Sequence, residues 1–467
     1  MAHPHPLPPA PQTQALSSST FKPPPLDGSL SIGQIYDWHF QNTPNHRLFL
    51  FSQDDGKTRT IYWPEAVHAI YIGAKILRDR FGWIAGRTET PIVGILTASE
   101  RRSISNRGLD AIPYGILMSC FRANYIVFPI SPRNSPSAIA HLINKVGVNH
   151  LLIGHEASMQ DLAHDSLDIL TSKYPLMTTP DVSYVLLFED LFLSASERNM
   201  TPDAVPYEYK GADAIVGVLH SGSTAFPKPI YWSNHRIIQA CTIPYFGERD
   251  LTNQVLSLHS MGLLQTWWSV SCGLVLSGFE PKAVPTIPTP ENLFHAAKAT
   301  TSAIIFCVPS FIEAWSRQPE YVKWLATRGG VLYGGGPLNK IVGDYMTSQG
   351  VSIFILYRSS EMSPILPANV GYDWEYFKFP DLITPEMVPH GDNTFELVMV
   401  PGYWKILGRT DDQIMHNTGE KPGFGPSEGP SLYYQQPSPL SFKKARRLRC
   451  SESLPSRDFS RGTTDSG

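Results

Sequence analysis

The feature that most constrains this chain is an apolar run that opens into a loop of small residues and ends on a lysine. Ile215-Val216-Gly217-Val218-Leu219 reads as a buried strand, and His220-Ser221-Gly222-Ser223-Thr224-Ala225-Phe226-Pro227-Lys228-Pro229 follows at once. Short hydroxyl side chains around a glycine let backbone N–H groups and hydroxyls converge on one anion. Lys228 adds a point charge suited to a phosphate oxygen. The loop is not a Walker A loop, because Pro227 and Pro229 stand where that pattern needs Gly and then Ser or Thr. A serine-rich turn between two strands is the alternative. Five small residues, 221–225, followed so closely by Pro-Lys favour the anion site.

On either side, short apolar runs alternate with helical periodicities. Strands are expected at 47–52, 58–62, 92–97, 125–129, 150–153, 303–308, 331–333 and 351–357. Helices are expected at 32–40, capped by Ser31, and at 63–81, 111–123 and 135–146. This rhythm predicts an α/β fold of mostly parallel sheets flanked by helices. The apolar run 267–276, interrupted by Ser269, Ser271 and Gly273, reads as a buried helix. Residues 1–28 are dense in proline, which fixes φ and removes donors, so a disordered, extended arm is expected there.

Charge and cysteine usage exclude several classes. A net charge of -3 argues against a protein that neutralises nucleic-acid phosphates. No run of about 20 apolar residues is present to span a bilayer. The five cysteines are scattered, with neither a CxxC pair nor zinc spacing, which suits a reducing compartment. A cytoplasmic protein with no nucleic-acid or membrane partner is expected.

Further along the chain come Leu258-His259-Ser260-Met261-Gly262 and Tyr333-Gly334-Gly335-Gly336-Pro337-Leu338. Leu356-Tyr357-Arg358-Ser359-Ser360-Glu361 follows, and then Gly402-Tyr403-Trp404-Lys405-Ile406-Leu407-Gly408-Arg409-Thr410-Asp411-Asp412-Gln413-Ile414. Taken singly, each has an ordinary reading. His259 reads as a core or capping histidine, and the glycines as a tight turn into a helix. Glu361 reads as a solvated strand end, Arg409 and Asp411 as surface charges on a hairpin. Three glycines after a strand also let a backbone approach a flat ligand closely.

Together, and in this order, the segments resemble the signature of the adenylate-forming superfamily, which includes acyl-CoA ligases, luciferases and nonribosomal-peptide adenylation domains. The strings Phe128-Pro129-Ile130-Ser131-Pro132-Arg133-Asn134-Ser135 and Asn417-Thr418-Gly419-Glu420-Lys421 are similar to fungal adenylate-forming reductases, the nonribosomal-peptide-synthetase-like carboxylic acid reductases. The resemblance implies the large N-terminal domain of the acyl-CoA synthetase-like fold, with ATP and Mg²⁺ as cofactors. By it, Ser221, Gly222, Ser223, Thr224 and Lys228 hold phosphate, and Gly335, Gly336 and Tyr357 lie against adenine. Ser360 reaches phosphate, Glu361 helps hold Mg²⁺, and Arg409 contacts ribose. His259, Met261, Gly334 and Gly335 border the pocket for a small carboxylic acid, with Lys228, Glu361 and His259 as catalytic candidates and Asp411 as the hinge pivot. A carrier protein acting in trans is a further implied partner.

The chain departs from the family pattern at named places. Ala225 and Arg358 stand where glycine is usual. Val398-Met399-Val400-Pro401 joins two segments between which the family carries a ribose-binding Asp, and nothing marks Asp392 as its substitute. The expected organisation is an arm at 1–28, a large domain at 29–404, a hinge remnant at 405–421 and a disordered tail at 422–467, with no small C-terminal domain. The tail's basic run, Lys443-Lys444-Ala445-Arg446-Arg447-Leu448-Arg449, reads as solvated chain. Acyl-adenylate formation is the expected activity. A catalytically impaired nucleotide-binding pseudoenzyme, or a non-functional truncated product, is the alternative.

Overall fold

The computed structural model describes residues 10–87, 89–97, 111–193, 205–220, 227–247, 249–260, 266–282, 286–334, 336–355, 374, 376–378, 385–391, 394–399 and 447–449. Its early elements are α1 (Ile32–Asn42), β1 (Arg47–Ser52), β2 (Thr58–Tyr62), α2 (Trp63–Phe81), β3 (Ile92–Leu96), α3 (Ala111–Arg122) and β4 (Ile126–Pro129). Next come α4 (Pro136–Val146), β5 (His150–Ile153), α5 (Ala157–Lys173), β6 (Asp181–Tyr184), β7 (Ile215–His220), β8 (Pro229–Ser233) and α6 (Asn234–Thr242). Then β9 (Val255–Ser257), α7 (Thr266–Cys272), β10 (Val275–Phe279), α8 (Pro290–Ala299), β11 (Ile304–Cys307), α9 (Pro309–Trp315) and α10 (Pro319–Leu325). The series closes with β12 (Gly330–Tyr333), α11 (Lys340–Ser348), β13 (Ile353–Ile355), β14 (Tyr376–Lys378), β15 (Pro385–Gly391), β16 (Thr394–Met399) and β17 (Arg447–Arg449).

Two large sheets result. One runs β13-β12-β11-β9-β10-β1-β2 and the other β6-β5-β3-β4-β7-β8. All their pairings are parallel except the hairpins β1–β2 and β7–β8. The expected α/β class with mostly parallel sheets holds.

Period-two alternation explains the layering. In β12, Leu332 faces one core while Val331 and Tyr333 face another. In β5, Leu152 joins that same first core, whereas Leu151 and Ile153 face away. The first core therefore draws on both sheets, together with α1, α2, α3, α6 and α7. Those helices form a shared layer between the sheets. Helices α8 to α11 cover the outer face of the first sheet, and α4 and α5 that of the second.

Local signals set the helix ends. Ser31 accepts from the Gln34 N–H at 3.3 Å while the Gln34 side chain accepts from the Ser31 N–H at 3.0 Å, a reciprocal cap. Gly82 ends α2 with φ +59°.

Three expectations need correction. The run 267–276 is not one helix: α7 stops at Cys272, Gly273 turns with φ +72°, and β10 begins at Val275. Residues 10–28 are not a free arm. Gln14 donates to the carbonyls of Pro244 (2.9 Å) and Arg249 (2.7 Å) and accepts from the Leu251 N–H at 2.8 Å. The Phe21 ring, 5% exposed, packs on His46 at 4.9 Å and on His39 at 5.3 Å. Residues 1–9 lie outside the described chain. In the tail, Arg447–Arg449 pairs antiparallel with Tyr376–Lys378, and the rest of 422–467 lies outside the described residues.

Candidate active site

The small-residue loop joins two strands of a hairpin. His220 stands opposite Pro229 as the last pair before it, and Val127 pairs with Gly217 to hold β7 against β4. His220 Nε2 accepts the backbone N–H of Ser131 at 3.0 Å, and the Phe128 ring meets the imidazole edge-on at 6.2 Å. A backbone N–H can only donate, so Nε2 is the unprotonated nitrogen of that ring. Ser131 is itself fixed by a turn: the Asn134 N–H donates to its carbonyl at 3.1 Å, and Ser135 then caps α4 through the Ala138 N–H at 3.3 Å. The 128–135 string, which in the sequence served only as a mark of resemblance, buttresses the start of the loop. Lys228, half-buried, stands at the loop's exit, directly before β8. Ser221, Gly222, Ser223, Thr224 and Ala225 lie outside the described residues.

Three of the other segments follow strands of the first sheet in sequence. Ser257 pairs with Ile305, Ile305 with Val331, and Val331 with Ile353, so the four form one row across β9, β11, β12 and β13. Strands β9, β12 and β13, which directly precede Leu258, Gly334 and the 356–361 string in sequence, therefore end on the same edge. In parallel sheets ligands bind outside that edge. The sequence gives no sign of this adjacency, since the four strands are spread over 96 residues of chain between 257 and 353.

The glycine-rich turn separates into two kinds of glycine. Gly334 is buried, and its N–H donates to the Cys307 carbonyl at 3.4 Å. Gly336 is half-buried, has no left-handed φ, and a Cβ built there would meet nothing within 4 Å. Neither backbone conformation nor packing in the described chain explains it. Space beside a glycine at a sheet's carboxyl edge suits close approach of a flat ligand.

His259 is placed differently from expectation. It is 2% exposed, with Nδ1 2.7 Å from Ser257 Oγ and Nε2 3.4 Å from Ser52 Oγ, and its ring edge meets Phe279 at 4.7 Å. Burial pushes its pKa down to about 3, so the ring is neutral. Both nitrogens lie within hydrogen-bond distance of serine hydroxyls of the sheet, which gives His259 a pinning role. Ser260 makes a second tie, donating to the Phe306 carbonyl at 3.1 Å.

Met261, Gly335, Tyr357, Arg358, Ser360, Glu361, Asp392, Arg409 and Asp411 lie outside the described residues. Among the described residues no group of three or more His, Cys, Asp or Glu could hold a metal. Mg²⁺ held by one carboxylate and substrate phosphates needs no such group. Also among the described residues, no helix is long and apolar enough to cross a membrane. Cys120, Cys241, Cys272 and Cys307 are buried as free thiols, and burial raises their pKa values.

Residues 115–386 match the model of the AMP-binding enzyme family. Adenylate-forming reductase Nps10 of Heterobasidion annosum is 41% identical over 91% of this chain, and the alignment spans 42% of that relative. Adenylate-forming reductase Nps11 of Serpula lacrymans is 28% identical over 88% of the chain and 41% of its own length. The chain thus spans about two-fifths of the curated relatives it matches. Among solved structures, a luciferase-like enzyme from the mealworm Zophobas morio superposes with TM-score 0.67 at 14% identity, covering 92% of this chain and 96% of that one. The N-terminal subdomain of Klebsiella oxytoca NpsA, solved with 3-hydroxybenzoyl-AMSN, gives 0.58 at 15% identity, covering 82% and 90%. These likenesses show the fold of the large N-terminal domain of adenylate-forming enzymes.

Proposed function

Because the chain belongs to the AMP-binding enzyme family and is similar to adenylate-forming reductases of fungi, we propose that it activates a carboxylic acid with ATP to give an acyl-adenylate. The observation that carries this reading is the hairpin loop. The segment that carries the small hydroxyl residues connects the paired strands at His220 and Pro229, with Lys228 directly before Pro229 and Ser131 bracing His220. ATP supplies an α-phosphorus that the carboxylate attacks, and the bond to pyrophosphate breaks. The chain's part is to position the two reactants and to offset phosphate charge. Ser221, Gly222, Ser223 and Thr224 would hold phosphate oxygens, with Lys228 as the cation. Gly335, Gly336 and Tyr357 would receive adenine, and Arg409 ribose. Ser360 and Glu361 would serve phosphate and Mg²⁺. Met261 and Gly334 would border the acid. A carrier protein acting in trans is the acceptor that the reductase relatives suggest.

A second reading is a nucleotide binder without turnover. Arg358 favours it, because a long side chain stands where the family has glycine beside the purine. Acid-dependent ATP–pyrophosphate exchange separates the two. Exchange supports activation, while ATP binding without exchange for any acid supports the second reading.

A further inference from the structure

Gly343 stands in the opening turn of α11, where glycine disfavours a helix relative to alanine. Its backbone is helical and does not call for glycine. Its neighbour does. A Cβ built there would overlap the benzo half of the Trp374 indole, so the ring lies directly against the helix backbone. Trp374 is 4% exposed, and its Nε1–H donates to Asp344 Oδ1 at 3.0 Å. Lys340 Nζ lies 3.1 Å from Oδ2 of the same carboxylate. Gly343 and Asp344 thus give Trp374 a flat seat and an acceptor, and a buried indole needs a partner for its N–H. The pairing is not local, since 30 residues separate Asp344 from Trp374.

This seat adjoins the glycine turn. α11 opens directly after the Tyr333–Leu338 string and Asn339, whose Oδ1 accepts from the Ile341 and Val342 N–H groups at 3.0 Å and 3.4 Å. Tyr333 and Leu338, the two ends of that string, share one apolar core with Trp374. Among the described residues between them, Gly334 makes a long bond of 3.4 Å to the Cys307 carbonyl, and Gly336 has open space where a Cβ would stand. A turn with such sparse ties takes its place from its two ends. β12 fixes one end through the sheet. The opening of α11 fixes the other, and Trp374 bears on that opening from a distant part of the chain.

We infer that Trp374 is a positioning residue for the nucleotide: seated on Gly343 and held by Asp344, it sets the start of α11 and so the place of the glycine turn against the base. The inference rests on the reading that this turn receives the adenine of ATP. It gives Trp374 no contact with the nucleotide or the acid.

The test compares wild type with Trp374→Ala, Trp374→Phe, Gly343→Ala and the Gly343→Ala/Trp374→Ala double variant, at a temperature where melting curves show each folded. ATP and inorganic triphosphate are titrated by calorimetry, and acid-dependent pyrophosphate exchange is followed alongside. Triphosphate carries the phosphates without a base, so a shift of the glycine turn should spare it. Trp374→Ala and Gly343→Ala should each weaken ATP binding about tenfold and triphosphate less than about twofold, since a misplacement of about 1 Å suffices for losses of that order. Trp374→Phe keeps a ring on the seat and should recover part of the ATP affinity. Gly343→Ala should add nothing in the Trp374→Ala background, because its harm comes through the ring. If Trp374→Ala does not fold, Gly343→Ala alone decides. Equal losses for ATP and triphosphate, unchanged ATP affinity in the folded variants, additive losses in the double variant, or a wild type that binds ATP no more tightly than triphosphate overturns the inference. Losses confined to ATP, in a protein that exchanges pyrophosphate with no acid, sustain the positioning role and remove the activating reading instead.

Discussion

His220 Nε2 accepts the Ser131 backbone N–H at 3.0 Å, joining the carboxyl end of β7 to the turn that follows β4. One side chain thereby fixes the start of the loop relative to the neighbouring strand. Replacing His220 by Ala orphans the Ser131 N–H, and a lost bond of this kind costs about 1–3 kcal/mol. His220→Ala should weaken ATP binding about tenfold or more, in line with about 1.4 kcal/mol per tenfold. Gln, which also offers an acceptor, should restore part of it. Equilibrium ATP titration of the three proteins checks this, and equal affinities would remove the bracing role.

Lys228 is assigned to phosphate charge. Lys228→Ala should reduce exchange about 100-fold or more, in the range seen when one stabilising donor is removed from a reaction centre. Its melting temperature should stay near wild type, because the residue is half-buried at a loop exit. A large loss of stability with little loss of exchange would reassign Lys228 to the fold.

Ala225→Gly and Arg358→Gly restore the residues usual in the family. If position 225 needs a left-handed φ, alanine there costs on the order of 1 kcal/mol, so Ala225→Gly should tighten ATP binding about fivefold. Arg358→Gly should tighten it further. Unchanged affinity in the double variant would mean that neither position borders the nucleotide.

Burial holds His39, His46 and His259 neutral, with pKa values lowered to about 3, about 4 and about 3 from 6.5. Each folded value lies below the unfolded one, so the unfolded chain binds more protons between them. Their contribution is fully present above pH 6.5 and is lost as pH falls toward 4, at about 1.4 kcal/mol per pH unit for each group. Melting curves between pH 7.5 and 4.5 should show a steep fall beginning near pH 6.5. A flat profile to pH 5 would contradict the burial of these rings.

Phe21 anchors the N-terminal segment on His39, His46 and Gly273. Truncating a buried phenylalanine costs about 3–5 kcal/mol. Phe21→Ala should therefore destabilise the whole domain in urea titrations, and a change below about 1 kcal/mol would return residues 10–28 to the status of a loose arm.

The alternation of apolar runs was enough to read the parallel sheets, because Ile, Val and Leu strands punctuated by helix caps such as Ser31 and Ser135 carry their own local signal. What escaped depends on distant partners. Gln14 is held by the carbonyl of Pro244, 230 residues away, and His259 by Ser52, 207 residues away. No local pattern announces such a contact, so a proline-rich arm read as free, and the partners of His259 could not be named from its string. The run 267–276 misled for another reason: Ser269 and Ser271 interrupt it without ending the helix, and only Gly273 marks the change from helix to strand. At the candidate site, the small-residue loop and the glycine turn stand out by residue type alone. The role of Ser131 and the open space beside Gly336 needed the tertiary structure.

The central claim is acid activation by this chain. Pyrophosphate exchange into ATP, measured on the full chain with and without a panel of alkyl and aryl acids, tests it most directly. Exchange that appears only with acid and Mg²⁺ and disappears in Lys228→Ala is the predicted result. No exchange with any acid, in protein shown by calorimetry to be folded, would contradict it.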